Sequence, residues 1–153
     1  MQIHSARMSS RPLIAHEEIP QLGLGPANLR ILIVNEDMRS ADSLKGTLLE
    51  LGYSTTLTAY SAKRALVAAA DFAPSIALLD LELPDMTGFQ LAYKLRSHLL
   101  GCVRRVPLLA IAERDVFGNI ELARAAGFIG CLTKPVKPLE LNCVLRSLQG
   151  RTR

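Results

Sequence analysis

Three short polar stretches each follow directly on an apolar run. Asn35-Glu36-Asp37 comes after residues 31–34, Asp80-Leu81-Glu82 after residues 76–79, and Thr133-Lys134-Pro135 after a run ending at Leu132. Carboxylates gathered in one place repel each other unless a cation or an ammonium group sits among them. Hard oxygen donors on loops suit Mg²⁺, which keeps several waters and takes one or two protein carboxylates. Glu36 and Asp80 are the acids expected to share such an ion, and Lys134 supplies a second positive group. Each residue taken alone reads as an ordinary solvated loop side chain. Their placement after three separate apolar runs is what points to chemistry.

Other chemistries find less support. Gly23-Leu24-Gly25 lacks a third glycine at position 28, which is Asn28, and precedes an apolar run instead of following one, the wrong order for a dinucleotide loop. A flavin phosphate needs glycines and hydroxyls after the first strand, and Asn35-Glu36-Asp37 would repel it. No Ser/His, Cys/His or zinc-ligand spacing appears, so an enzyme acting on small molecules is not expected. His4 and His16 lie in the first residues and His98 near a helix end, where a surface role is the default. Cys102, Cys131 and Cys143 form no CxxC pair and are odd in number, so buried, reduced thiols are expected.

The elements that must position these groups are legible from periodicity. Residues 31–34 and 76–79 are short apolar runs suited to strands buried on both faces. Residues 54–59, 108–112 and 129–133 complete five strands. Between them, Ala41, Leu44, Leu48 and Leu51 recur at helical spacing before Gly52, and Ser61 caps a helix with Ala62, Ala65, Leu66 and Ala69 inward. Residues 87–96 and 116–125 read as helices, the latter closed by Gly127, and Pro138 opens a last one with Leu141, Val144, Leu145 and Leu148 on one face. Strands alternating with helices predict an α/β, doubly wound, five-stranded parallel sheet of flavodoxin-like order 2-1-3-4-5, with helices on both faces. In such a sheet, function gathers at the carboxyl ends of the strands. Adjacent strands lie about 4.8 Å apart, which brings Glu36 and Asp80 within reach of one ion.

The 153 residues are 49% hydrophobic and 21% charged, which fits one packed domain and excludes wholesale disorder. Residues 1–28, with Pro12, Pro20 and Gly23-Leu24-Gly25-Pro26, read as a flexible or loosely docked arm, residues 29–149 as the domain and 150–153 as a tail. No run approaches the length of a membrane span, and no signal peptide is recognisable, so a cytoplasmic protein with no membrane partner is expected. Eighteen Lys+Arg against 14 Asp+Glu give a net charge of +4, but the basic residues are scattered and aromatics are 5%. Nucleic acid, which needs clustered charge and stacking platforms, is therefore not an expected partner.

The chain resembles the receiver domain of bacterial two-component response regulators. The matching pieces are Ile-Leu-Ile-Val-Asn-Glu-Asp (31–37), Glu-Leu-Gly-Tyr (50–53), Leu-Leu-Asp-Leu-Glu-Leu-Pro-Asp-Met-Thr-Gly-Phe (78–89), Arg-Val-Pro-Leu-Leu-Ala-Ile-Ala (105–112) and Ala-Gly-Phe-Ile-Gly-Cys-Leu-Thr-Lys-Pro (126–135). The resemblance implies a phosphoprotein, not an enzyme, that takes a phosphoryl group from a phosphohistidine onto an aspartate. Asp80 matches the phosphoacceptor and Lys134 the lysine that pairs with phosphoryl oxygens. Glu36 and Asp80 match metal-ligating acids, and Glu82 falls where the family lends a main-chain carbonyl to Mg²⁺. Pro84 and Gly88 shape the turn after Asp80. The implied partners are a histidine kinase or histidine phosphotransfer protein and a downstream protein target, with a homodimer left open. The resemblance implies a docking face formed by the last helices and strand five, to which Val116, Phe117 and Ile120 could contribute, although core packing is the expected fate of at least two of the three.

Three positions depart from the family pattern. Asn35 replaces the first of two acids, Ala112 replaces a hydroxyl residue, and Cys131 replaces an aromatic switch residue. The last two remove both halves of the usual conformational coupling. Only Gln-Gly-Arg-Thr-Arg follows Leu148, so the expectation is a stand-alone receiver without an output domain, acting in a phosphorelay or by protein–protein interaction. A fragment of a hybrid kinase, with the arm as linker, is a variant of that expectation. The alternative is a degenerate pseudo-receiver that binds partners without phosphorylation.

Overall fold

The structure, a computed structural model, describes residues 13–14, 28–113 and 120–149. The remainder of the expected arm, the tail from residue 150, and Val116 and Phe117 lie outside the described residues, as does the first part of the expected 116–125 helix.

The apolar runs form strands because each can bury side chains in both directions. In chain order the elements are β1 (Leu13–Ile14), β2 (Arg30–Val34), α1 (Met38–Glu50), β3 (Thr55–Ala59), α2 (Ala62–Phe72) and β4 (Ile76–Asp80). They continue with α3 (Gly88–Arg96), α4 (Gly101–Arg104), β5 (Leu108–Ala112), α5 (Ile120–Ala125), β6 (Phe128–Thr133) and α6 (Pro138–Gln149). The sheet order is β1-β6-β5-β4-β2-β3. Strands β2 to β6 are parallel, in the expected doubly wound order. The added member is β1, which pairs antiparallel with β6.

Alternation along the strands sorts the core into two layers. Ile31, Ile33, Ile76, Leu78, Leu109 and Ile111 pack against Leu44 and Leu48 of α1 and Leu141, Val144, Leu145 and Leu148 of α6. On the other face, Leu32, Val34, Ala77, Leu79 and Ala110 meet α2 and α3 through Ala62, Ala65, Ala69, Leu91, Ala92 and Leu95. The second layer is built largely of alanine, so α2 sits close to the sheet.

Local chemistry sets the helix ends. The Ser61 hydroxyl accepts from Arg64 N–H, and Thr87 and Gln90 form a capping box at α3. Gly52 and Gly127 adopt φ of 102° and 99°, a region open to glycine, and turn the chain after α1 and α5. The short α4 has too few residues for a periodic signature and was not expected. None of the three cysteines is in a disulfide, but only Cys131 is buried. The expectation of buried thiols fails for Cys102 and Cys143, because Val103 and Val144 beside them take the inward positions.

Arg96, at the end of α3, ties three segments together. Its Nη1 donates to the carbonyls of Arg104 at 2.9 Å and Val106 at 2.7 Å, and its Nη2 to that of Gly127 at 2.7 Å. This fixes the approach to β5 and the start of β6 against the same helix.

Candidate phosphoacceptor site

Asp80 ends β4, a central strand paired with β2 on one side and β5 on the other. The residue is 4% exposed, so its carboxylate must be satisfied by the protein. Lys134 Nζ lies 2.8 Å from Oδ2, and the Glu82 N–H donates to Oδ1 at 2.9 Å. Lys134 reaches Asp80 from the end of β6, two strands away, where the Lys134 N–H is anchored on Ala112 O at 2.9 Å. The Lys134–Pro135 peptide is cis. The pairing of Asp80 with Lys134 joins two of the residues singled out by sequence.

Asn35 follows Val34, whose partner across the β2–β4 ladder is Leu79, so Asn35 and Asp80 end neighbouring strands side by side. Asn35 is 6% exposed, and its Oδ1 accepts from Asp37 N–H at 2.9 Å. Glu36 is exposed at the rim and shares no hydrogen bond or ion pair with Asp80 or Lys134 among the described residues. Asp37 is already engaged: Oδ1 accepts from Arg39 N–H at 3.2 Å and Oδ2 from Ser40 Oγ at 2.8 Å, capping α1. The Ser40 hydroxyl foremost, then the backbone N–H groups, holds the Asp37 carboxyl below its ordinary range. Asp37 is therefore the N-cap of α1.

The loop after Asp80 is fastened at both ends. At its base, Glu82 bridges Thr87 and the Gly88 N–H donates to Leu81 O at 2.9 Å. A Cβ on Gly88 would fall 2.8 Å from Leu81 Cα and 2.9 Å from Asp80 O, so the residue is glycine because backbone passes there. At its tip, Asp85 reaches to the start of α2, where Oδ1 accepts from Ala62 N–H at 3.0 Å and Oδ2 from Lys63 N–H at 2.9 Å. Sequence reasoning missed this role, since the acceptor and the helix are 23 and 22 residues apart. The two N–H groups hold the Asp85 carboxyl below its ordinary value. A carboxylate depressed in the folded state contributes stability that is complete above its unfolded value and is lost as pH falls through the folded one. The stability gap between the wild type and Asp85→Asn should therefore narrow as the pH falls through and below the ordinary carboxylate range. Urea midpoints measured across that range check this, and a constant gap would show that the charge contributes nothing.

A magnesium ion fits the donor chemistry. Among the described residues no three His, Cys, Asp or Glu side chains converge, so a divalent cation must complete its shell with carbonyls and water, as Mg²⁺ does. Each Asp80 oxygen accepts one bond from the protein and keeps a further lone pair. Glu36 at the rim and the main-chain carbonyl of Glu82 would complete the protein's share.

Two of the positions where the sequence departs from the resemblance, Ala112 and Cys131, are both buried and sit in the alanine-rich layer. Neither side chain carries a hydroxyl or an aromatic ring. Of the expected docking residues, Ile120 begins α5.

Residues 31–146 match the family described as response regulator receiver domain. An uncharacterized 14.6 kDa protein from the sodA1 3′ region of Leptolyngbya boryana is 33% identical over 115 residues, covering 75% of this chain and 86% of that protein. The probable transcriptional regulatory protein TcrX of Mycobacterium tuberculosis is 31% identical over 122 residues, covering 80% of this chain and 50% of the relative. The chain thus spans about half the length of TcrX and of the DNA-binding response regulators MtrA that it also matches. A CheY-like response regulator receiver domain from Methylobacillus flagellatus superposes with a TM-score of 0.70 at 25% identity, over 78% of this chain and 98% of that one. The receiver domain of sensor histidine kinase PA1611 from Pseudomonas aeruginosa was solved with a magnesium ion coordinated in its active site cleft. It superposes with a TM-score of 0.71 at 26% identity, over 82% of this chain and all of that one (100%).

Proposed function

The chain belongs to the response regulator receiver domain family, and from that premise we propose that Asp80 accepts a phosphoryl group from a phosphohistidine on a partner protein. The observation that carries this reading is the buried Asp80 carboxylate held at 2.8 Å by the Lys134 ammonium at the carboxyl ends of the strands. One Asp80 oxygen attacks phosphorus, the P–N bond of the donor breaks, and the imidazole leaves with the electron pair of that bond. The product is an acyl phosphate on Asp80. Lys134, about a third exposed, is free to turn from the carboxylate toward the phosphoryl oxygens and offset their charge. The Glu82 N–H keeps the second carboxylate oxygen in place meanwhile. Bound at Asp80, Glu36 and the Glu82 carbonyl, Mg²⁺ would supply the further positive charge needed to bring two anions together. The protein is on this reading a phosphoacceptor and not an enzyme with a turnover substrate. Its partners are a histidine kinase or phosphotransfer protein and a downstream protein, in the cytoplasm.

Intact-mass measurement after incubation with Mg²⁺ and acetyl phosphate tests the proposal. In that donor the P–O bond breaks and acetate leaves. The wild type should gain one phosphoryl group, and Asp80→Asn should gain none. A second reading, a receiver that binds partners without being phosphorylated, is favoured by Ala112, which offers no side-chain donor at the end of β5. A wild type that stays unmodified with acetyl phosphate and with candidate kinases would establish that second reading.

A further inference from the structure

The five parallel strands leave β6 at one margin of the sheet, where its outer side would present unpaired N–H and C=O groups. That margin is covered. Residues 13 and 14 run antiparallel along it, with Leu13 opposite Cys131 and Ile14 opposite Gly130. The groups that meet there follow from the other side of β6. The Lys134 N–H donates to Ala112 O, so residues 132 and 134 address β5, and by strand alternation Cys131 and Thr133 address the margin. Leu13 and Cys131 are therefore the pair that exchanges both hydrogen bonds. The ladder between β5 and β6 slips just before this point. Leu108 faces Phe128 while Leu109 faces Gly130, which leaves Ile129 as an extra residue. A bulge of this kind bends an edge strand and interrupts its pairing, and the two residues that follow it are the two that β1 covers.

We propose that the outer side of β6 at Gly130–Cys131 is a strand-addition surface for an extended, antiparallel peptide segment, and that this chain fills it with its own residues 13–14. Main-chain hydrogen bonds supply the attraction in this mode of recognition. Residues 13–14 are then a built-in competitor: a partner segment reaches β6 only by displacing them. The strand they cover is the one that delivers Lys134 to Asp80, so an incoming segment would touch the element that completes the site. The proposal does not depend on phosphorylation.

Amide hydrogen exchange on the full chain tests it. In the wild type, the Cys131 N–H, paired with Leu13, should be protected from exchange. Leu13→Pro removes the donor at position 13 and should accelerate Cys131 by at least about tenfold while leaving Leu132, which faces β5, unchanged. Leu13→Val keeps the N–H and should match the wild type. A synthetic peptide of residues 9–18 should shift the Cys131 amide resonance of the Leu13→Pro chain and not that of the wild type. No change at Cys131 in Leu13→Pro overturns the proposal. So does a peptide that leaves the Leu13→Pro resonances unmoved.

Discussion

Gly88→Ala is expected to destabilise the fold by about 2 kcal/mol and to slow phosphorylation of Asp80 by roughly tenfold or more, a magnitude typical of overpacking against backbone. The added methyl would sit 2.6 Å from Leu81 Cδ2, 2.8 Å from Leu81 Cα and 2.9 Å from Asp80 O. Leu81 Cδ2 can rotate away, but the other two atoms belong to the chain that leaves β4. Since β4 is held on both sides, relief has to come from a shift of α3 or of the loop from Leu81 to Thr87. Either movement disturbs the Glu82 N–H that holds Asp80 Oδ1. Gly46→Ala provides the contrast. Gly46 lies on the exposed side of α1 with nothing within 4 Å of the added carbon. There alanine should stabilise by about 0.5–1 kcal/mol through helix propensity alone. Chemical denaturation and acetyl phosphate kinetics on both variants measure the two effects. Equal stabilities would refute the close-approach argument.

Arg96→Ala should cost about 3 kcal/mol, because hydrogen bonds from a charged donor contribute more than neutral ones and their loss strands buried acceptors. The half-buried guanidinium binds the carbonyls of Arg104, Val106 and Gly127, and burial presses its pKa below the ordinary arginine value without removing the charge. A melting temperature lowered by on the order of 10 °C follows for a domain of this size. Arg96→Lys should recover less than half of the loss, since a single ammonium cannot reproduce a planar fork facing three acceptors. A lysine variant as stable as the wild type would mean that the cation's charge, and not its geometry, holds these segments. Gly127 is coupled to the same feature. A Cβ there would meet Arg96 Nε at 2.6 Å, and its φ of 99° already disfavours other residues.

The sequence and the structure agree where periodicity is strong. Runs such as Ile31–Val34 of β2 had to be strands, and the Leu141, Val144, Leu145 and Leu148 stripe had to face the core, because nothing else would bury them. Asp80 and Lys134 were legible for a different reason: both follow apolar runs, and a parallel sheet gathers such positions at one end. What stayed hidden depends on contacts between distant segments. The acceptors of Arg96 lie 8, 10 and 31 residues away, so nothing in its neighbourhood along the chain marks it as a clamp. Asp85 reads as one more turn acid until α2 is placed above it. Asp37 caps α1 through its bonds to Arg39 and Ser40, a role that spacing alone does not single out. The backbone passage at Gly88 leaves no trace in composition, because a turn glycine and a close-approach glycine look alike.

The unequal makeup of the two core layers gives the molecule a rigid side and a forgiving side. Where Ala62, Ala65, Ala69, Ala77 and Ala110 pack together, an enlarged side chain would push helix and sheet apart, so substitution there should be confined to residues no bigger than those present. Under α1 and α6, where leucine, isoleucine and valine interlock, one aliphatic can trade for another at constant volume. Lineages of this domain should therefore drift fastest beneath the first and last helices and hold nearly still beneath the second, independently of what the carboxylate pocket demands.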